Sequence, residues 1–208
     1  NQQGTMQGSS MLRLCLCFAF LAAIWAEDNT WRVEFTLDFL DGVEGDGGSF
    51  VIEVHPNWAP IGAARFRELV ESGFYEGIRI HRYHKSGFAQ FGVSNDPEVT
   101  KYWDGKKLQD DPVRHSNKRG TVAFAMEDSH HRTTEILINM HHNPLFDRHG
   151  FAPFGALIAG HKDVERFYEI GDEVDWDDAR EQGEKYLSGF PKLTRILKTR
   201  ILPNDEVV

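Results

Sequence analysis

"IRIHRYHKSGFAQFG", Ile78 to Gly92, sets one arginine among β-branched and aromatic residues. Arg82 stands between His81 and Tyr83, with Phe88, Gln90 and Phe91 close behind. The stretch is strand-like. An arginine in that setting is either a surface charge on an alternating strand or a group held for a purpose, and its company in the chain decides which.

On the N-terminal side, "WRVEFTLDFL" (Trp31–Leu40) alternates apolar and polar residues as a half-buried strand does. "DGVEGDGGS" is a Gly- and Asp-rich turn, and "FVIEVHP" is a second strand, so the pair predicts a hairpin. In "APIGAARFRELVESG", Pro60 suits a first helical turn. Ala63, Phe66, Leu69 and Val70 fall on one face, and Gly73 closes the helix. On the C-terminal side, "KRGTVAFAM", "TEILINM" and "FAPFGALIAG" read as strands separated by short turns, which favours a barrel or sandwich. "KDVERFYEI" reads as a second amphipathic helix. The end of the chain reads as a polar helix, a Gly-Phe-Pro break and a closing segment.

The 208 residues suffice for one domain with a sizeable core and an appendage. A net charge of -9 argues against a general nucleic-acid partner. The acidic runs Asp38–Asp46 and Asp172–Asp178 read as solvated loops. Arg13 followed by the apolar run Leu14–Ile24 resembles a secretory signal peptide cleaved near Ala26. The run is short for a membrane span, and an uncleaved anchor is the competing reading. Both cysteines, Cys15 and Cys17, lie inside it, so the mature chain would hold neither a disulfide nor a thiolate site. Among the ten histidines, the pairs His130–His131 and His141–His142 are adjacent. Strand neighbours face opposite ways, and no ligand motif accompanies them, so they read as loop histidines rather than a metal site.

The order "HR", "GFAQFG", "NKRGTVAFAM", "RTTEILIN", "NPLFD", "GFAPFG" resembles the cyclophilin family of peptidyl-prolyl isomerases from about Val33 to Ile170. The tail "QGEKYLSGFPKLTRI" is similar to the C-terminal extension of a longer subset. The resemblance implies a mainly β fold: a closed antiparallel β-barrel capped by two α-helices, with a C-terminal helical extension. Together with the signal-peptide reading it divides the chain into a leader (1–26), a cyclophilin-like domain (27–171) and an extension packed on it (172–208).

The implied activity is rotation of X-Pro bonds in protein or peptide substrates, assisting folding in the secretory pathway. No cofactor and a monomer are expected, with no stable membrane insertion after signal cleavage. Arg82 matches the family's electrostatic residue and Gln90 the glutamine that holds substrate backbone, while His81 supports the strand. The proline pocket falls on Phe88, Ala125, Leu137 and Phe146. Several positions depart from the pattern. Ungapped counting from Arg82 puts Gly87 at the pocket phenylalanine, and a one-residue slip puts Phe88 there. Met126 replaces an asparagine that acts through its backbone carbonyl. Leu145 stands at a frequent tryptophan, and Phe146 at the leucine after it. Glu135 stands at a glutamine. A carboxylate there is expected to pair with Arg82, and it either orients the guanidinium or diverts it. The alternative reading is a weakly active or inactive module that binds proline-containing segments.

Overall fold

The computed structural model describes residues 29–203 and residue 206. The stretch read as a leader, with both cysteines, lies outside the described residues. The expected hairpin forms from β1 (Trp31–Asp38) and β2 (Gly48–Val54), paired from Trp31↔Val54 to Leu37↔Gly48. Alternation in β1 sends Trp31, Val33, Phe35 and Leu37 into the core. Phe35 stacks on Phe50 across the pair at 4.7 Å between ring centroids. After helix α1 (Pro60–Glu71) come β3 (Ile80–Tyr83), β4 (Phe88–Phe91), α2 (Pro97–Asp104), β5 (Thr121–Phe124) and β6 (Ile136–Asn139). They are followed by α3 (Pro144–Arg148), β7 (Pro153–Ala159), α4 (His161–Val164), α5 (Trp176–Gln182), α6 (Glu184–Leu187) and β8 (Arg195–Leu202).

All eight strands form one antiparallel sheet in the order β3-β4-β6-β5-β7-β2-β1-β8. The chain leading into β3 also bonds to β8: Gly77 N–H to the Ile196 carbonyl at 2.7 Å, Ile196 N–H to Ile78 at 2.8 Å, and Ile80 N–H to Thr194 at 2.9 Å. The sheet is therefore curled, with its first and last strands brought together. Its inner face and α1 enclose a core rich in aromatics, including Phe35, Phe50, Phe66, Tyr75, Phe91 and Phe154.

Helix α1 buries the expected Ala63, Phe66, Leu69 and Val70. No side chain at its own N-cap, Ala59, satisfies the first turn. The carboxylate of Asp111 does so instead, accepting from Ile61 N–H at 3.0 Å and Gly62 N–H at 2.8 Å. Arg132, itself buried, donates to the same carboxylate at 3.1 Å. At the far end Gly73 takes φ 69°, a left-handed turn that glycine makes without strain.

The C-terminal half departs from the sequence reading in two places. The expected second capping helix over "KDVERFYEI" is a single turn, His161–Val164. Beyond it Phe167 turns into the core against Phe50 and Tyr83, and Arg166 is drawn to Asp41 and Asp46. Nor is the tail a helical extension throughout. Among its described residues only 176–182 and 184–187 are helical, and Arg195–Leu202 is a strand paired with β1 from Arg32↔Leu202 to Asp38↔Arg195. Between these elements Ile170, Val174, Ala179, Leu187 and Leu193 pack with Val93 into a small second cluster. Among the described residues, no helix is long and apolar enough to cross a membrane.

Candidate active site

The sheet register gathers the site. Arg82 lies opposite Gln90, and Gln90 lies opposite Leu137. Directly opposed residues of an antiparallel sheet share a face, and so do residues two apart. Phe88, Gln90 and Leu137 therefore emerge on the side of Arg82. The register of β3 slips between Ile80 and Arg82: two steps on β3 match one on β4. Such a bulge re-aims a side chain, so the adjacent His81 and Arg82 both reach the same side. There they line a cavity of about 700 Å³ with Phe88, Gln90, Ala125, Met126, Glu135, Leu137 and Phe146. Nine of the ten residues singled out from the sequence thus meet at one place. Leu145 does not line the cavity; it is 58% exposed on the outer side of α3. Of the two possible registers for the pocket phenylalanine, the geometry places Phe88 in the wall and keeps Gln90 there too.

The apolar end is aromatic. Phe88 and Phe146 meet at 5.6 Å, and Phe146 stacks on Phe151 at 4.7 Å. The Arg82 guanidinium lies over the Phe88 ring, 4.8 Å from its centre. Its Nε–H donates to Asp172 Oδ1 at 2.5 Å. The same oxygen lies 3.2 Å from His84 Nε2. The contact with His84, and then that with Arg82, holds the Asp172 carboxyl below the usual carboxylate range. Among the described residues the two terminal nitrogens of Arg82 hold no hydrogen bond.

Glu135 pairs elsewhere than expected. Its carboxylate does not meet Arg82. Oε1 accepts from Trp176 Nε1 at 2.8 Å and from an Arg180 terminal nitrogen at 2.9 Å. Oε2 accepts from Gln90 Nε2 at 2.8 Å and lies 3.3 Å from His81 Nε2. Only 5% of the residue is exposed. Burial raises its pKa, but His81, Arg180 and Gln90 outweigh burial and bring it down to about 2. Arg180 also donates to Asp104 at the end of α2 and lies 4.4 Å over the Trp176 ring. The result is a fully engaged, largely buried carboxylate in the cavity wall and a guanidinium with free terminal donors at its edge.

Asp172, Trp176 and Arg180 were not legible as site residues. Asp172 and Trp176 fall in a run that reads as a solvated acidic loop, and Arg180 in the polar helix expected after it; Asp175 caps α5 by accepting from Asp178 N–H at 2.9 Å. A signal was there. An N-cap Asp precedes acidic residues of a first turn, and Trp176 and Arg180, four apart, share one helical face. Likewise "NDPEV" carries an N-cap Asp96 and Pro97, and α2 starts there, bringing Asp104 to the rim.

An apolar aromatic cavity edged by unspent cationic donors suits a ring-bearing, amide-containing ligand, and comparison with known proteins agrees. Residues 40–183 match the family model for cyclophilin-type peptidyl-prolyl cis-trans isomerases. The chain is 25% identical to "Peptidyl-prolyl cis-trans isomerase A" of Dickeya dadantii over 138 residues, covering 61% of this chain and 69% of that protein. It is 27% identical to a peptidyl-prolyl cis-trans isomerase of Acinetobacter baylyi over 128 residues, covering 59% of this chain and 68% of that protein. A crystal structure of a cyclophilin-type isomerase from Cryptosporidium parvum superposes with a TM-score of 0.58 at 18% identity, covering 84% of this chain and 99% of that one. The curled sheet, the cavity on its β3-β4-β6 face and the match over 40–183 place this chain in the cyclophilin-type peptidyl-prolyl cis-trans isomerase family.

Proposed function

We propose that Arg82 accelerates rotation about X-Pro bonds whose proline ring sits among Phe88, Leu137 and Phe146. Resonance makes the X-Pro bond rotate slowly, over a barrier of roughly 20 kcal/mol. In the twisted transition state the lone pair localises on the prolyl nitrogen. A guanidinium aimed there meets an acceptor that exists only in that state, so it lowers the barrier without any covalent step. The observation that carries this reading is the free pair of terminal Arg82 nitrogens at the edge of the aromatic cavity, with the guanidinium seated on Phe88. Exchange spectroscopy of an X-Pro peptide with the purified chain tests it. Catalysed exchange that falls in Arg82→Ala supports the reading, and exchange at the uncatalysed rate refutes it.

One observation favours the binding-only alternative: the Gln90 amide donor is spent on Glu135 and so is withdrawn from a substrate backbone. Peptide binding without catalysed exchange, in the same sample, selects that alternative. We further infer that the sheet closes as a barrel, supported by the bonds between 77–80 and 194–196. We also propose a secretory-pathway location with cleavage near Ala26, which rests on the apolar run Leu14–Ile24. N-terminal sequencing of the native protein decides the location, and a cytosolic form retaining Cys15 and Cys17 refutes it.

A further inference from the structure

We propose that Asp172, from the C-terminal segment, is the positioning residue that aims Arg82 into the cavity. The inference rests on the isomerase reading above. Arg82 has a long, flexible side chain on a rim, with 42% of it exposed. Something must hold the fork if its terminal donors are to meet a transient acceptor. The residue directly opposite, Gln90, turns its amide N–H to Glu135 and makes no hydrogen bond with Arg82 among the described residues. Glu135 is saturated by Trp176, Arg180 and Gln90. The Phe88 ring fixes the plane of the guanidinium from one side but not its rotation. Asp172 supplies the missing constraint by accepting from Nε at 2.5 Å. Bonding at Nε leaves both terminal nitrogens free, whereas a fork-to-fork pair would consume one of them.

The carboxylate is itself held by backbone. Gly171 N–H donates to the Tyr83 carbonyl at 3.1 Å, an isolated β-bridge that sets residue 172 beside residue 82. Gly171 takes φ 63° there, the left-handed conformation glycine tolerates. His84, one residue beyond Tyr83, touches the same Asp172 oxygen at 3.2 Å. With 63% of the Asp172 side chain exposed, the pair adds little to folding, since exposed ion pairs contribute little stability. Its consequence lies in geometry, and misplacing a catalytic group by about 1 Å can cost on the order of a hundredfold in rate.

The experiment measures kcat and KM for an X-Pro peptide, together with thermal melting, in the full chain. Asp172→Ala is expected to lower kcat by about ten- to a hundredfold, with KM and melting nearly unchanged. Asp172→Asn, which keeps an uncharged acceptor, should fall between. In an Arg82→Ala background, Asp172→Ala should do nothing further. An unchanged or raised kcat in Asp172→Ala overturns the proposal, as does an equal loss in the Arg82→Ala background. If wild type is inactive, the isomerase reading and the catalytic part of this inference fall together. The Arg82 Nε–H resonance then judges the contact by itself: a protected, shifted signal lost in Asp172→Ala upholds the clamp, and a wild-type signal like that of free arginine removes it.

Discussion

Replacing Glu135 by glutamine removes one charge from a buried network without changing its size. The wild-type carboxyl titrates near 2 in the folded protein against 4.5 ordinarily. At 1.36 kcal/mol per pKa unit, that depression corresponds to about 3 kcal/mol of stability. The folded pKa is the lower one, so this stability is fully present above pH 4.5 and is lost as pH falls towards 2. At pH 3.5 about 1.4 kcal/mol of it should already be gone. Glu135→Gln should therefore be less stable than wild type by about 3 kcal/mol at pH 7, a melting shift of roughly 5–10 °C. The gap should narrow as the pH falls from 5 to 3.5. Denaturant titrations of both proteins across that range isolate the Glu135 network, because groups outside it are common to the pair. Because Glu135 engages Arg180 and Trp176 rather than Arg82, exchange catalysis by the folded variant should stay within about fivefold of wild type, far short of the two decades or more expected from losing Arg82. A stability gap under 1 kcal/mol at pH 7, or one independent of pH, would refute the network assignment.

Arg82→Ala should slow X-Pro exchange by about two decades or more while peptide affinity falls much less, because a planar amide nitrogen is a poor acceptor; line-shape analysis reads both in one sample. Trp176→Phe keeps the aromatic wall but loses the indole bond to Glu135, so it should destabilise the chain by about 1.5–3 kcal/mol in urea titration. Asp111→Ala uncaps α1 and takes one carboxylate from the buried Arg132, which keeps Asp110 and the Gln109 carbonyl, at a cost of about 1.5–3 kcal/mol in the same measurement. Leu145→Ala, on an exposed position off the cavity, should change melting and peptide affinity little, within about 0.5 kcal/mol by calorimetry.

Strand alternation, the face of α1 and the turn glycines were legible in the sequence, because each depends on residues a few positions apart. Arg82, Gln90, Phe88 and Leu137 could be set side by side from motif order alone, and the β3-β4-β6 register brings them to one cavity. What the sequence could not carry was the partner of each charge. Glu135 is 53 residues from Arg82 and looked like its counter-ion. Its actual partners, Trp176 and Arg180, lie more than 40 residues further on. Asp172 reaches Arg82 across 90 residues only because Gly171 bridges to Tyr83. The end of the chain shows the same division. "RILKTRIL" falls in the expected helical extension as a closing segment, and β1's edge supplies the hydrogen bonds that make it β8. Periodicity and capping are local properties written along the chain. Counter-ion choice and edge pairing are decided by which groups the curled sheet leaves unsatisfied and within reach.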